Sequence, residues 1–307
     1  MSDKVIAILG LGLIGGSLAL ALQRYGPADL KIIGWDIDSH AVRRAIERQA
    51  IHQGVTDWNE LRDVDFVFLC TPMLQIIPLA KQIVSFLKPG TIISDVGSVK
   101  SLLTVEMAAI VPEGIYYIGG HPMTGREQSG IEAAEENLFV NKWYILTPAK
   151  KLPAAPFALL QEVVCWTGAK MAVMKPDRHD VYAAVISHLP HVAAASLVNT
   201  LGLYGDVDEM LELSGGGFRD TTRIASSNAV MWTDICLTNK AEILQSIKSY
   251  QQVLNKLAAA VEQENRQEIS LFFTAAKTRR DQLLENVDRK TGLTSDSTPI
   301  SVNDLSH

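Results

Sequence analysis

An α/β domain built on a doubly wound parallel sheet, followed by an all-α helical domain, is the fold class that three features of this 307-residue chain predict. The first is Val5-Ile6-Ala7-Ile8-Leu9-Gly10-Leu11-Gly12-Leu13-Ile14-Gly15-Gly16-Ser17, an apolar β-branched run that breaks into Gly-x-Gly-x-x-Gly and passes at once into an apolar helical pattern. The second is another apolar strand, Lys31-Ile32-Ile33-Gly34-Trp35, closed by Asp36, 21 residues beyond Gly15. The third is a change of period. Short apolar runs alternate with helical patterns up to about Pro176, and only long helical stretches follow.

Each glycine of the turn has its own physical task. Gly10 permits the tight turn, Gly12 lets backbone approach a pyrophosphate, and Gly15 lets the helix pack closely on the strand. The helix opening at Leu13 and Ile14 points unpaired N–H groups and its positive dipole end at the phosphates. Asp36 is placed to accept hydrogen bonds from ribose hydroxyls and would repel a 2′-phosphate, so the expected cofactor is NAD rather than NADP. These features together define a Rossmann-type dinucleotide-binding domain.

The following elements continue the pattern. Ser39 is the expected cap of a helix carrying Ala41-Val42 and Ala45-Ile46. Phe66-Val67-Phe68-Leu69 is a continuous apolar run, as a parallel strand buried on both faces should be. It ends in Cys70-Thr71-Pro72 at the sheet edge that meets the ligand, which places Thr71 and Pro72 in the cofactor set. Ile92–Asp95 and Tyr116–Ile118 read as the next strands, with Trp143–Leu146 and Met171–Met174 outside them and a helix from about Pro156 to Trp166 between these two. Helices are then expected from Asp177 to about Leu203, kinked at Pro190, from Lys240 to Glu264, and from Gln267 to about Val287. The expected domains are 1–175 and 176–289, with a loose polar tail over 290–307.

Composition narrows the function. The chain is 47% apolar and 20% charged, an ordinary globular balance. A net charge of −6 argues against a nucleic-acid partner, which would call for a basic face. Cys70, Cys165 and Cys236 are too far apart for a metal or disulfide pattern and are expected as buried thiols in a reducing compartment, the cytoplasm. Val5–Leu22 is an 18-residue run without charge, but glycines and serines interrupt it and a buried strand-turn-helix accounts for it, so no membrane span is expected.

Several side chains are equipped for chemistry. His121, in Gly119-Gly120-His121-Pro122-Met123, is expected in a loop at the carboxyl edge of the sheet, where it could accept a proton near pH 7 or simply bond backbone. Ser98, just beyond the strand ending at Asp95, could orient His121 and a substrate oxygen, or cap the next helix. His188 and His191 share a helix face, while His179 and His188, nine apart, are expected on opposite faces. His188-x-x-His191 has no acidic partner at metal-ligand spacing, so no metal is expected. Ser214-Gly215-Gly216-Gly217-Phe218-Arg219-Asp220-Thr221-Thr222-Arg223 sets arginine forks, which bind carboxylates, at a helix start.

Gly10–Ser17, Asp95–Lys100, Gly119–Met123, and Ser187–His191 with Phe218–Arg223, in this order, resemble the prephenate/arogenate dehydrogenase family of tyrosine biosynthesis over about residues 4 to 288. The resemblance implies an NAD-dependent oxidative decarboxylation of prephenate, or of arogenate, which differs only in an amino group for the keto group. It also implies a helical domain like the carboxyl-terminal part of 6-phosphogluconate dehydrogenase, which forms a homodimer, and tyrosine as a candidate inhibitor. By the same resemblance, His121 polarises the ring hydroxyl, Ser98 helps to orient it, and Arg223 clamps the ring carboxylate with Asp220 beside it. His191 and His179 line the substrate cleft, and Glu127 gates its mouth. Because the substrate is a dianion and the protein is acidic, binding must rest on a few placed cations, with Arg219 and Arg126 as candidates beside Arg223. Two other readings keep Gly10–Gly15 and Asp36: a dehydrogenase of β-hydroxyacids, which would use a lysine as acid/base, and a non-catalytic NAD sensor.

Overall fold

The computed structural model of the chain describes residues 4–126 and 128–291. The chain divides into two compact units, Met1–Lys240 and Ala241–His307. The first unit is built on eight strands: β1 (Val5–Leu9), β2 (Lys31–Trp35), β3 (Gln53–Gly54), β4 (Phe66–Leu69), β5 (Ile92–Asp95), β6 (Tyr116–Pro122), β7 (Trp143–Pro148) and β8 (Lys170–Val173). They form one sheet in the order β3-β2-β1-β4-β5-β6-β7-β8. Only the β6–β7 pair is antiparallel.

Five helices accompany these strands: α1 (Leu13–Tyr25), α2 (Ser39–Glu47), α3 (Ile76–Ile83), α4 (Ser101–Ile110) and α5 (Ala154–Trp166). On one face, Ala7, Leu9, Val67, Leu69 and Ile93 join Ile76, Ile83, Leu103 and Met107 of α3 and α4 in one buried apolar cluster. The central strands are apolar throughout because both faces are covered.

The glycine tasks have measurable causes. Gly10 lies at φ +104°, and a Cβ there would stand 2.6 Å from the carbonyl carbon of Cys70. At Gly15 a Cβ would fall 1.9 Å from the Gly10 carbonyl oxygen, so only glycine lets α1 cross the turn this closely. A Cβ on Gly12 would meet nothing within 4 Å, leaving open space above the backbone. Asp38, not Ser39, caps α2, its carboxylate accepting from the His40 N–H at 2.8 Å.

His121 is in strand β6 and not in a loop. Gly119 and Gly120 serve close packing instead of turning the chain: a Cβ on Gly119 would lie 2.4 Å from Thr147 Oγ1, and one on Gly120 would lie 2.6 Å from the Asp95 carbonyl oxygen. Beyond Ile118, β6 overhangs the end of β5 and continues its pairing with β7 alone.

The rest of this unit is helical: α6 (Pro176–Ala183), a π-turn over Ala184–His188, α7 (Leu189–Leu201), α8 (Val207–Glu212), α9 (Gly216–Thr222) and α10 (Ala229–Thr238). The expected kink at Pro190 is a π-turn just before it, which accommodates a residue that cannot donate a backbone hydrogen bond. The run Pro176–Leu201 is, among the described residues, long and apolar enough to cross a membrane by length and composition, at a mean hydropathy of 1.5. The sequence had suggested only Val5–Leu22 for such a role. His179, Asp180 and His188 of this run are buried in hydrogen bonds to the rest of the unit, while 22% of the apolar window as a whole is buried. The second unit holds two long helices, α11 (Lys240–Glu262), whose first residue lies in the preceding unit, and α12 (Arg266–Thr291). The expected tail, 290–307, begins within α12, which runs to Thr291, and the residues beyond 291 lie outside the described ones.

Gly10→Ala should destabilise the first unit by about 1–3 kcal/mol, because it forces a side chain into a left-handed backbone already in contact with Cys70. Urea unfolding compared with the unmodified protein measures this, and an unchanged midpoint would refute it.

Candidate active site

The strand order reverses between β1 and β4, and the crevice at their carboxyl ends is where doubly wound sheets hold a ligand. One side is the Gly-rich turn. The first turn of α1, at Leu13, Ile14 and Gly15, follows Gly12 with no side-chain cap, so its N–H groups have no partner within the helix. Asp36 is held by the same turn: the Leu11 N–H donates to Oδ2 at 2.6 Å and the Asp38 N–H to Oδ1 at 2.9 Å. On the other side, Thr71 Oγ1 is buried with no hydrogen-bond partner among the described residues. Pro72 beside it opens a 3-10 turn, Met73–Gln75, whose Leu74 N–H donates to buried Asp234 of α10 at 3.3 Å. Backbone donors, an oriented carboxylate, open space over Gly12 and an orphaned hydroxyl fit a dinucleotide.

A chain of three side chains lies beside this crevice. His121 Nδ1 is 2.8 Å from His179 Nε2, and His179 Nδ1 is 2.8 Å from Asp180 Oδ1. Asp180 also accepts the backbone N–H groups of Lys100 and Ser101, each at 2.8 Å. It thereby takes over the capping of α4 expected of Ser98. These bonds hold the Asp180 carboxyl below its ordinary range despite its burial. His121 is pushed well below the usual histidine value, first by burial and then by His179, Lys100 and His188, so it is neutral at physiological pH. Ser98 is half-buried in the turn after β5 and makes no hydrogen bond to His121; the partner of that ring is His179.

Behind His121 lies a buried charge pair. Lys100, fully buried, donates to Asp95 and, at 2.7 Å, to the Gly120 carbonyl oxygen. Burial lowers the pKa of Lys100 against the pull of Asp95. Asp95 further accepts from Tyr117 Oη at 2.8 Å and from the backbone N–H groups of Gly97 and Gly120 at 2.8 and 3.2 Å. The overhanging part of β6 is thus tied by side chains on the side where its pairing with β5 has ended.

The π-turn corrects the expectation that His179 and His188 point to opposite faces. Nine residues of regular helix give about 180°, but one inserted residue leaves about 80°, and both rings come to bear on His121. Asn239 Nδ2 is 3.2 Å from His188 Nδ1 and donates to the Asp180 carbonyl oxygen at 3.0 Å. The His191 ring lies 4.0 Å from that of Trp232, and its Nδ1 is 3.0 Å from the Ser187 carbonyl oxygen. Arg219 and Asp220 are exposed on α9, and Arg223 opens the next turn, which packs against α7, the helix of His191. Arg126 is drawn elsewhere, into a two-pronged pair with Glu135 at 2.6 Å for each bond. Glu127 lies outside the described residues.

Sequence reasoning missed Asp180, Trp232 and Asn239 as members of this cluster and met Lys100 only within the stretch Asp95–Lys100, with no role of its own. The Asp next to His179 was its one local signal; the others come together only through the fold. The thiols also depart from expectation: Cys165 is exposed, and Cys70 and Cys236 are partly so.

The fold and this crevice define a dinucleotide-dependent oxidoreductase. Residues 18–173 match the family model "Prephenate dehydrogenase, nucleotide-binding domain", and residues 175–275 match "Prephenate dehydrogenase, dimerization domain". A prephenate dehydrogenase of Bacillus subtilis is 36% identical over 286 residues, 92% of this chain and 76% of that protein. The crystal structure of Aquifex aeolicus prephenate dehydrogenase in complex with hydroxyphenyl propionate and NAD+ superposes with a TM-score of 0.86 at 34% identity, covering 92% of this chain and 99% of that one. Synechocystis arogenate dehydrogenase gives 0.79 at 32% identity, covering 91% and 100%. This chain belongs to the prephenate dehydrogenase family.

Burial lowers the His188 pKa from 6.5 to about 4. In that interval the unfolded chain binds the extra proton, so stability is present above pH 6.5 and is lost as pH falls towards 4, by about 3 kcal/mol for this group. Unfolding free energies measured across this range should show the decline, and His188→Gln should make it shallower, leaving the share of His121.

Proposed function

We propose that this protein catalyses the oxidative decarboxylation of prephenate to 4-hydroxyphenylpyruvate with hydride transfer to NAD, in tyrosine biosynthesis. The observation that carries the reading is a neutral, buried histidine, His121, backed by His179 and set beside a dinucleotide crevice. The family membership and the NAD complex of the Aquifex aeolicus enzyme support it.

The chain's residues divide the work. The first turn of α1, Asp36 and Thr71 hold NAD, with Gly10, Gly12 and Gly15 shaping the turn and Pro72 and Ser98 bordering the crevice. NAD, when bound, supplies the acceptor for the hydride from C4 of the ring. His121 takes the proton of the C4 hydroxyl as that carbon is oxidised, because a neutral imidazole can accept and an imidazolium cannot. The C1–carboxylate bond then breaks to release carbon dioxide, its electron pair makes the ring aromatic, and the proton returns from His121 to the phenolate oxygen. No net proton is consumed. Arg223 binds the ring carboxylate with Asp220 beside it, His191 and His179 line the substrate site, and Glu127 guards its entrance. A placed arginine suits a dianionic substrate, since a net charge of −6 provides no attracting field. Arg126, paired with Glu135, is the weaker candidate for this task.

The nucleotide-binding part is 1–175 and the helical part 176–289, which contains the family's dimerization domain and pairs two copies. We place the enzyme in the cytoplasm, where the free thiols Cys70, Cys165 and Cys236 stay reduced, and take tyrosine as a candidate inhibitor.

The deciding experiment follows reduction of NAD and of NADP by absorbance, with prephenate and arogenate in parallel. Turnover with prephenate and NAD is expected; turnover with arogenate alone changes the side-chain specificity, and silence with both overturns the assignment. His121→Asn should bind NAD with unchanged affinity and lose about 10²–10⁴-fold in kcat; full activity would remove His121 from the mechanism.

A further inference from the structure

We propose that Asp180 fixes the proton arrangement of the histidine pair, so that His121 presents a bare Nε2 to the substrate hydroxyl. The inference rests on the reading of His121 as the proton acceptor, and it assigns a positioning task to a residue that acts through His179.

The assignment follows by elimination along the chain of bonds. Asp180 receives the Lys100 and Ser101 N–H groups at the start of α4, where the helix dipole also favours negative charge. A carboxylate has no proton to donate, so the 2.8 Å contact with Asp180 Oδ1 requires a proton on His179 Nδ1. A neutral His179 then has a bare Nε2. That atom is 2.8 Å from His121 Nδ1, and two bare nitrogens would repel at this distance, so the proton between them belongs to His121 Nδ1. Neutral His121 is left with a lone pair on Nε2, the form a base needs. Reversing the chain would turn His121 Nε2 into an N–H, which can donate to the hydroxyl oxygen but cannot accept its proton.

The charged and titratable groups around the pair agree with this state. Lys100, from the turn before α4, and His188, from the π-turn, both oppose a positive His121, and Asp95 neutralises Lys100 at its far side. Asn239 donates to the Asp180 backbone carbonyl and holds this part of α6 in place. Asp180 also keeps its charge through turnover, so it orients the rings and stabilises the imidazolium formed at His121 without taking the proton itself.

The test is a two-bond ¹⁵N–¹H correlation spectrum of the enzyme labelled with ¹⁵N-histidine, with His121 and His179 assigned by their Asn variants. Both rings should show a protonated Nδ1 and a bare Nε2. Asp180→Asn, whose amide can donate to His179 Nδ1, should reverse both rings and lower kcat by about 10³–10⁴-fold, with KM for substrate and NAD within about threefold. A proton on His121 Nε2 in the unmodified enzyme overturns the proposal, as does an Asp180→Asn enzyme with unmodified tautomers and kcat. If Asp180→Asn fails to fold, because it also caps α4, the spectrum of the unmodified enzyme decides alone. Retained turnover in His121→Asn would instead overturn the acceptor reading, while the spectrum still reports on Asp180.

Discussion

The arrangement at the carboxyl edge of the sheet depends on Lys100. Its side chain joins Asp95 at the end of β5 to the Gly120 carbonyl of β6, and its backbone N–H is taken by Asp180 of α6. Three elements distant in sequence therefore meet on one residue. Burying a charged pair is costly, and the cost is met here by completing the hydrogen bonding: Asp95 accepts from Tyr117, Gly97 and Gly120 as well as from Lys100. Removing one partner would leave a buried charge uncompensated. The pair gives strand β6 a fixed position where it extends past β5, and that overhang carries His121.

Burial works on the two buried ionic partners and the histidines in different ways. Asp180 remains ionised because helix N–H groups and His179 satisfy it, whereas His121 is driven neutral by desolvation and by His179, Lys100 and His188, and His188 by desolvation and by His179 and His191. A buried imidazole at His121 that stays neutral across the physiological range is the result. The acidic character of the chain as a whole, at −6, does not reach this site, whose local charges are set by Lys100, Asp95 and Asp180.

The π-turn before Pro190 has a matching role. One inserted residue rotates His188 towards the side of His179, and the same turn spares the chain the hydrogen bond that proline cannot make. A backbone irregularity thus gathers polar side chains from one long helix.

Local sequence determined the dinucleotide half almost completely. Gly10, Gly12 and Gly15, the strand ending at Asp36, and the apolar runs of β4 and β5 are short-range patterns whose physical causes lie within a few residues, and the structure repeats them. The motifs around His121 and Arg223 were legible for the same reason, through their resemblance to a family. Other features needed the tertiary structure. Gly119 and Gly120 looked like loop residues, but close neighbours in β5 and β7 make them strand residues. Ser98 stood at the right place to bond His121, yet the ring turned to His179, 58 positions along the chain. Nothing local in the sequence marks Lys100 and Asp180 as buried, and their burial is decided by packing between elements that no local period records. Short-range geometry is written in neighbouring residues, while the protonation and orientation of a buried group depend on whatever the fold sets against it.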